Sequence, residues 1–242
     1  MLKISSYSAF IEQKQLLFSL SHTFKKGKVH ILMGPNGSGK STLAMSLLGM
    51  KKFTLSPESK AFLETTNLLE FESYKRVQKG LFVSFQSPPS LSGVSVFQML
   101  RIALHGKMEA LALKETIEKF SKELSIPKTL LSRSLNEGFS GGERKKMELL
   151  QMAILNPQCA LLDEIDTGVD IDAQKTIISF LKNWLSPEKT LLIITHHPSF
   201  AEALSPDSVT ILKNGEIVAS GNASLIQIIK EKGYDADFSL SL

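Results

Sequence analysis

The spacing of apolar residues changes several times along this chain, and each change marks a different kind of predicted element. The first 30 residues contain short apolar runs separated by polar turns, which predicts an antiparallel subdomain at the edge of the molecule. Residues 81–85 are almost continuously apolar, as is typical of a strand buried on both faces. From Val94 to about Leu135, apolar residues recur every three or four positions, which indicates helices. We therefore expect a helical insertion at about 87–135.

Strands and helices alternate in the second half of the chain. The pattern predicts helices over 143–155 and about 171–185, and strands over 159–162 and 190–194. Two further short strands flank Asn214-Gly215, a dipeptide that favours a two-residue hairpin turn. This alternation predicts an α/β fold with a mostly parallel sheet and helices on both faces.

The length and composition favour a single domain over residues 1–242, with the helical insertion inside it. The chain has 242 residues, 43% of them hydrophobic, which is enough for one sizeable core. Its formal net charge is only +4 and most basic residues are scattered, so we expect no nucleic-acid partner. No apolar stretch reaches about 18 residues and no secretory signal pattern is visible, so we expect a cytoplasmic protein without direct membrane insertion.

The clearest chemical signal is a phosphate-binding loop at residues 34–42. This segment follows the pattern G-x-x-x-x-G-K-[ST] between an apolar run and a helix-like run, which is the context that the motif requires. The glycines permit a tight loop, Lys40 can reach the β- and γ-phosphates, and Ser41 supplies a hydroxyl for Mg²⁺. The residues predicted to contact the nucleotide here are Gly34, Pro35, Asn36, Gly37, Ser38, Gly39, Lys40, Ser41 and Thr42. We therefore expect the chain to bind a nucleoside triphosphate with Mg²⁺.

Two carboxylates follow the buried strand at 159–162. Ligands of open α/β sheets bind at the carboxyl edge of the strands, so this acid pair is expected in a site. Asp163 suits the Mg²⁺ shell, directly or through water, and Glu164 can polarise an attacking water. The alternative is that either acid only caps the next helix.

A second anion site is predicted at Ser140-Gly141-Gly142, just before the helix over 143–155. A serine and two glycines leave backbone amides exposed at the positive end of a helix, where a phosphate can bind. A flexible turn with a serine cap would have the same sequence, so the tripeptide alone does not decide between the two.

The order of these motifs resembles that of the ABC-type ATPase domains over practically the whole chain. The resemblance implies a P-loop NTPase fold with a mostly parallel sheet, an antiparallel β edge subdomain and a helical insertion. It also implies ATP as the nucleotide, and an ATP-dependent homodimer in which Ser140–Gly142 meets the γ-phosphate of the opposite subunit. Gln86 would sense Mg²⁺ as a metal-contacting catalytic residue, Asp170 would lie in a dimer-contacting loop, and His196 would hold the γ-phosphate and the attacking water.

Residues 135–173 are similar to those of the SufC family, the ATPases of the SUF iron–sulfur cluster assembly machinery. This resemblance implies SufB-like and SufD-like scaffold subunits as partners, reshaped by ATP-driven closure of two ATPase domains. Cys159 is the chain's one cysteine, too few thiolates to hold a cluster alone, so the chain is expected to be the motor of such a machine.

Two other classes of ABC protein share part of this pattern. The ATP-binding subunit of an importer would share every catalytic motif and dock its insertion on a membrane permease, but Glu143 and Ile171-Asp172-Ala173 favour the SUF type. A DNA-maintenance ATPase would need a long coiled-coil insertion, and this insertion is too short.

Recognition of adenine is the part of the site that the sequence predicts least. Transport ATPases usually stack the base on an aromatic residue some distance before the loop lysine. The corresponding place in this chain is near Ile11, beside Phe10.

Overall fold

The computed structural model describes residues 1–236 and 238, which form two compact units. The first unit contains Met1–Gln86, Pro157–Ile165 and the described residues from Leu185 onward. The second contains Ser87–Asn156 and Asp166–Trp184. The strands are β1 (Leu2–Ile11), β2 (Lys14–Phe24), β3 (Lys28–Met33), β4 (Thr54–Leu55), β5 (Lys60–Leu63), β6 (Thr66–Asn67), β7 (Leu81–Val83), β8 (Cys159–Asp163), β9 (Thr190–Ile194), β10 (Ser208–Lys213) and β11 (Glu216–Gly221). The helices are α1 (Lys40–Leu48), α2 (Ser73–Gln78), α3 (Val96–Ala103), α4 (Ala110–Glu123), α5 (Lys128–Leu131), α6 (Gly141–Leu155), α7 (Ile171–Trp184), α8 (Pro198–Ala203) and α9 (Ser224–Lys232).

The larger sheet of the first unit has the strand order β11-β10-β3-β9-β8-β7 among the described residues. The pairings from β10 to β7 are parallel, and β11 pairs antiparallel with β10. Every residue of β8 and β9 is buried, including the thiol of Cys159, which explains their continuous apolar sequence. The carboxyl ends of β3, β7, β8 and β9 therefore meet at one edge of this sheet. The predicted mostly parallel sheet is confirmed.

The smaller sheet of the first unit is antiparallel, with the order β2-β1-β5-β6 and β4 beside β1. The sequence predicted short strands separated by polar turns over the first 30 residues, but β1 is one continuous strand of ten residues. Its register against β2 shifts between Ile4 and Tyr7, and Ser6 adopts a positive φ of 47°, so a bulge interrupts the apolar alternation without ending the strand. The apolar faces of β1 and β2 pack with those of α1 in one core cluster.

The second unit is built from helices α3 to α7. The long helix α6 packs against α3, α4 and α7, and the rings of Phe120 and Phe180 pack edge to face with centroids 6.0 Å apart. An isolated bridge between Leu91 and Leu135 joins the two ends of the segment before α6.

Arg76 of α2 stabilises the carboxyl end of α1. Its guanidinium donates hydrogen bonds to the carbonyl oxygens of Ser46 (3.2 Å), Leu47 (2.7 Å) and Phe71 (2.8 Å). The carbonyls in the last turn of a helix have no partner within the helix, and a cation there also offsets the negative end of the helix dipole. The helix that begins at Lys40 is therefore anchored at its far end by a buried arginine.

We expect Arg76→Met to lower the free energy of unfolding by about 3 kcal/mol, because it leaves three carbonyls, two of them buried, without their charged donor. Urea denaturation followed by circular dichroism measures this change. Lys75→Met, an exposed substitution on the same helix, is the control and should change the free energy of unfolding by less than about 0.5 kcal/mol. Equal stabilities of the two variants would contradict the proposed role of Arg76.

His30 is buried and His22 is half-buried in the first unit. His30 Nδ1 lies 2.6 Å from Ser208 Oγ, and its Nε2 lies 2.9 Å from the carbonyl oxygen of Lys25. His22 Nε2 lies 3.3 Å from Thr210 Oγ1. Burial lowers the pKa of both histidines below the ordinary value, and the proximity of His30 lowers the pKa of His22 further. The folded state therefore favours the neutral form of both imidazoles.

Because these pKa values are lower in the folded state than in the unfolded chain, the unfolded chain binds more protons as the pH falls. The free energy of unfolding should therefore be unaffected by them well above about pH 6.5 and should decrease as the pH falls below it. His30→Gln should flatten this decrease between about pH 6.5 and 5. Urea titrations across this range test the sign, with His105→Gln, at an exposed position, as the control. A slope unchanged by His30→Gln would contradict the assignment.

Candidate functional site

A cleft of about 590 Å³ opens at the carboxyl edge of the larger sheet in the first unit. It is polar, and residues from the loop after β3, from β2 and from the ends of β7, β8 and β9 line it. They are Lys14, Leu16, Asn36, Gly37, Ser38, Gly39, Lys40, Ser41, Thr42, Gln86, Glu164 and His196. The structure thus brings most of the predicted phosphate loop together with three residues that are far from it in sequence.

The loop after β3 follows a path that only glycine permits at two of its positions. A Cβ atom on Gly34 would stand 2.0 Å from the carbonyl oxygen of Leu212. Gly39, which precedes α1, has a φ of 106°, and a Cβ there would stand 2.6 Å from Leu17 Cδ2. These two contacts explain the spacing of the motif, because larger residues would push the loop out of its place at the start of α1.

Lys40 directs its ammonium group back into the loop. Its Nζ donates hydrogen bonds to the carbonyl oxygens of Gly34 and Pro35, both at 2.9 Å, and lies 3.4 Å from Ser38 Oγ. Burial lowers the pKa of Lys40, while the nearby charges of Glu164 and Asp163 act in the opposite direction. Phosphate oxygens are stronger acceptors than these carbonyls, so a nucleotide can take over the hydrogen bonds of Lys40.

Asp163 and Glu164 lie at the end of β8, as the sequence predicted. Asp163 is completely buried, and its backbone amide donates to Ser84 Oγ at 2.8 Å. Glu164 has a φ of 50°, and its amide donates to the carbonyl oxygen of Ile194 at 2.9 Å. A left-handed conformation is unusual for glutamate, and here it turns the chain at the sheet edge so that the second carboxylate enters the cleft.

The Glu164 carboxylate is held between residues that follow β7 and β9, the two strands beside β8. Gln86 Nε2 donates to Glu164 Oε2 at 2.9 Å, and His196 Nδ1 lies 3.4 Å from Glu164 Oε1. The His196 ring packs against that of His197 at a tilt of 48°, with centroids 4.0 Å apart. An amide, a carboxylate and an imidazole therefore converge within the same cleft as Lys40, a constellation suited to orienting and polarising a water molecule.

Ser140, Gly141 and Gly142 lie in the second unit, at the amino end of α6. Ser140 Oγ accepts a hydrogen bond from the Glu143 amide at 3.3 Å, and Glu143 Oε2 accepts one from the Ser140 amide at 2.7 Å. Both parts of a capping box are thus formed. A cleft of about 270 Å³ within the second unit is lined by Ser140, Gly142 and Asp170, among others. Asp170 Oδ1 accepts a hydrogen bond from the Ala173 amide at 2.8 Å, at the start of α7.

Two residues that line the first cleft were not predicted from the sequence. Lys14 and Leu16 lie on β2, just after the turn that follows Ile11. Ile11 is the position near which the sequence analysis placed adenine recognition. They are two residues apart on a strand, so their side chains point to the same face. The only sequence signal for them is the short turn between β1 and β2, which carries no information about a nucleotide.

The class of the protein follows from comparison with known families. The family model described as ABC transporter matches residues 17–167, a segment that contains the phosphate loop and the acid-ended strand. The chain therefore belongs to the ABC transporter family, and it is an ATPase that binds nucleotide.

Its relatives narrow this class to one type. The chain is 36% identical over 243 residues to the protein of Escherichia coli (strain K12) named "Probable ATP-dependent transporter SufC", a comparison that covers 97% of both chains. It is 39% identical to an ATP-dependent transporter of Synechocystis sp. (strain ATCC 27184 / PCC 6803 / Kazusa), covering 97% of this chain and 94% of the relative. A third relative, ycf16 of Antithamnion sp., is 36% identical, with 97% and 96% covered. Within its family, the chain is a SufC-type ABC ATPase.

Solved structures share the fold. The ATP-binding subunit of an ABC transporter superimposes with a TM-score of 0.80 at 20% identity, covering 99% of this chain and 97% of the other. An ATP-binding cassette solved as a dimer bound to ADP and Pi superimposes with a TM-score of 0.78 at 18% identity, covering 92% and 99%. Among the described residues, no helix is long and apolar enough to cross a membrane.

Proposed function

We propose that this chain is the ATP-hydrolysing motor of a SUF-type iron–sulfur cluster assembly complex. The observation that carries the proposal is the 36% identity with SufC of Escherichia coli over 97% of both chains. Two further features support the proposal, because they lie in the part of the sequence that resembles the SufC family most. They are the capping box of Ser140 and Glu143 and the cap of α7 by Asp170. In this proposal the partners are SufB-like and SufD-like scaffold subunits, and the complex works in the cytoplasm.

Binding of ATP starts from the loop between β3 and α1. The triphosphate accepts hydrogen bonds from the loop amides and from Lys40, whose ammonium leaves the Gly34 and Pro35 carbonyls for the phosphate oxygens. The amino end of α1 adds a positive partial charge at the same place. Leu16 and Lys14 form the wall of the cleft on the side of β2, where the base can pack.

The residues present fit a Mg²⁺ ion that arrives with the nucleotide. Mg²⁺ prefers oxygen ligands and is usually bound by one or two carboxylates together with substrate phosphates. Ser41, Gln86 and Asp163 offer a hydroxyl, an amide and a carboxylate, and among the described residues no group of three or more His, Cys, Asp and Glu side chains could hold a metal by itself. When bound, the ion would neutralise charge on the β- and γ-phosphates.

Hydrolysis requires a water molecule directed at the γ-phosphate. Glu164 accepts a hydrogen bond from this water and increases its nucleophilicity, while His196 donates to the γ-phosphate or the water. Gln86 holds the carboxylate of Glu164 through the 2.9 Å hydrogen bond from its amide. Gln86 would also offer its amide oxygen to Mg²⁺, so this side chain would link the position of the catalytic carboxylate to the metal site.

The second half of each site is proposed to come from another copy of the chain. Ser140, Gly141 and Gly142 would present backbone amides from the amino end of α6 to the γ-phosphate bound by the partner's loop. ATP then lies between two subunits and stabilises the dimer, and hydrolysis allows the subunits to separate. This cycle would supply the movement that reshapes the scaffold subunits.

Affinity purification from native cells followed by mass spectrometry tests the proposed function. Recovery of SufB-like and SufD-like subunits would support it. Recovery of a membrane permease in place of these subunits would overturn the SUF assignment and favour an importer, without affecting the assignment of the ATP site.

We propose that the segment between Pro88 and Arg101, at the start of the second unit, docks the SufB-like or SufD-like subunit. Leu91 is 37% exposed, and Arg101 is exposed on α3. We expect Leu91→Ser combined with Arg101→Glu to weaken binding to the purified scaffold subunits by at least about tenfold, because an apolar contact is lost and a charge is reversed. Calorimetry should show an unchanged affinity for ATP. Equal losses in both measurements would show that the docking surface lies elsewhere.

A further inference from the structure

The segment between α5 and α6 leads directly into the second anion site. Residues 132–139 contain no helix, and no strand beyond the isolated bridge at Leu135, and they end at Ser140, the cap of α6. The capping box of Ser140 and Glu143 holds the first turn of the helix together, but it does not fix where that turn lies. The path of residues 132–139 therefore decides how Ser140 and the two glycines after it present their amides.

Backbone hydrogen bonds tie this segment to residues 89–94, which lie shortly after Gln86 in the chain. The amide of Leu91 donates to the carbonyl oxygen of Leu135 at 2.9 Å, and the amide of Leu135 donates to that of Val94 at 2.9 Å. Two irregular segments that are far apart in sequence thus hold each other in place inside the second unit.

Asn136 adds the contact that lies nearest to both ends of this connection. Its side chain is 2% exposed, and its Nδ2 donates to the carbonyl oxygen of Pro89 at 2.9 Å. Ser90 Oγ donates to the carbonyl oxygen of Asn136 at 3.0 Å. The Asn136 Oδ1 atom is buried and has no hydrogen-bond partner among the residues that the structure describes. A buried acceptor without a partner is unfavourable, so stability alone does not explain an asparagine here, and its contact with Pro89 points to a function.

The two anion sites are joined through this contact by a short path along the chain. Gln86 lies in the first cleft, where its amide contacts Glu164, and Pro89 follows it by three residues. Asn136 precedes Ser140 by four residues. A displacement of Gln86 is therefore passed to Pro89 through the backbone, to Asn136 through one hydrogen bond, and to Ser140 through the backbone again.

We propose that Asn136 is a positioning residue for the second anion site, and that it makes the position of Ser140 to Gly142 depend on nucleotide in the chain's own phosphate loop. When Mg-ATP binds, the metal and phosphates change the surroundings of Gln86, and the hydrogen bond from Asn136 to Pro89 carries the change to the start of α6. Each chain would thereby prepare the amides that it offers to a second copy only after it has bound its own nucleotide. The inference rests on the proposed function of Gln86 and of Ser140 to Gly142, but not on the SUF assignment.

Asn136→Gly tests the proposal, because glycine accepts the positive φ of 61° at this position and removes only the side chain. The matched control is Asn156→Gly, the same substitution at an exposed asparagine with a φ of 48° at the other end of α6. Ser90→Ala is the second variant. It removes the hydroxyl that donates to the Asn136 carbonyl, at an exposed residue where the fold is not at risk.

Amide hydrogen exchange on the full chain measures the proposed connection, at a protein concentration where light scattering shows only monomers. In the wild type and in Asn156→Gly, Mg-ATP should slow exchange at residues 87–94 and at residues 134–142 by at least about fivefold. In Asn136→Gly the effect at 87–94 should remain, and the effect at 134–142 should fall below about twofold. Ser90→Ala should reduce the effect at 134–142 to an intermediate value.

Turnover supplies the second arm of the experiment. Asn136→Gly should lower the rate at saturating ATP by about tenfold and change the dissociation constant of Mg-ATP, measured by calorimetry, by less than about twofold. Asn156→Gly should match the wild type in both. A wild type that binds Mg-ATP without any change of exchange at residues 134–142 would overturn the proposal. The same change in Asn136→Gly as in the wild type would overturn it as well, even if turnover fell, since Asn136 would then only support the fold. Neither outcome bears on which partner the complex contains, which affinity purification tests separately.

Discussion

Glu164→Gln is expected to lower steady-state ATP turnover by at least about 100-fold while changing the affinity for Mg-ATP by less than about threefold. The amide keeps the size of the side chain and can still contact Gln86 and His196, but it is a much weaker acceptor for the proton of the attacking water. Phosphate release at saturating ATP measures turnover, and calorimetry measures affinity. Glu58→Gln, at an exposed position of the same unit, is the control and should retain full turnover.

The same variant tests the two-subunit site. Because hydrolysis separates the subunits in the proposed cycle, Glu164→Gln should accumulate as a dimer in saturating ATP, and light scattering should show a doubled mass relative to the nucleotide-free sample. A Glu164→Gln protein that stays monomeric at high concentration in ATP would rule out the contribution of Ser140 to Gly142 from a second copy. Unreduced turnover would instead show that another group activates the water.

Lys40→Met is expected to weaken Mg-ATP binding by at least about 100-fold. It removes a buried ammonium whose present acceptors are the carbonyls of Gly34 and Pro35 and whose charge pairs with phosphate oxygens when a nucleotide binds. Calorimetry measures the loss, and circular dichroism checks that the fold is retained. Lys52→Met, at an exposed lysine, should bind like the wild type. Near-normal affinity in Lys40→Met would contradict the assignment of the loop as the phosphate site.

Elements with strong local signals could be predicted closely from the sequence. The apolar run at 190–194 coincides with β9, and Asn214-Gly215 forms the turn of the hairpin with positive φ at both residues. The segment at 60–63 could not be assigned, because it becomes a strand through pairing with β1, almost 60 residues earlier in the chain. Such a pairing depends on tertiary context, and no periodicity within a four-residue segment reveals it.

The residues of the candidate site also differ in how well the sequence predicts them. Glu164 follows an apolar run, and the rule that ligands bind at the carboxyl edge of the strands was enough to expect it in a site. Gln86 and His196 were expected there only from the resemblance to the ABC-type ATPase domains. Lys14 and Leu16 had no such signal, since their place in the cleft follows from how β2 lies beside the loop.

The burial of Cys159 makes the folded chain almost inert towards thiol reagents. The residue is completely buried, and burial raises the pKa of its thiol to about 12, so at neutral pH it is both protonated and inaccessible. A cysteine introduced at an exposed position, such as Ile102, would therefore be the one thiol that a spin label or fluorophore modifies in the folded protein. Separation and closure of two copies can thus be followed spectroscopically without replacing the native cysteine. The native thiol, in turn, becomes reactive only when β8 opens, so its rate of modification reports how often the centre of the sheet is transiently exposed.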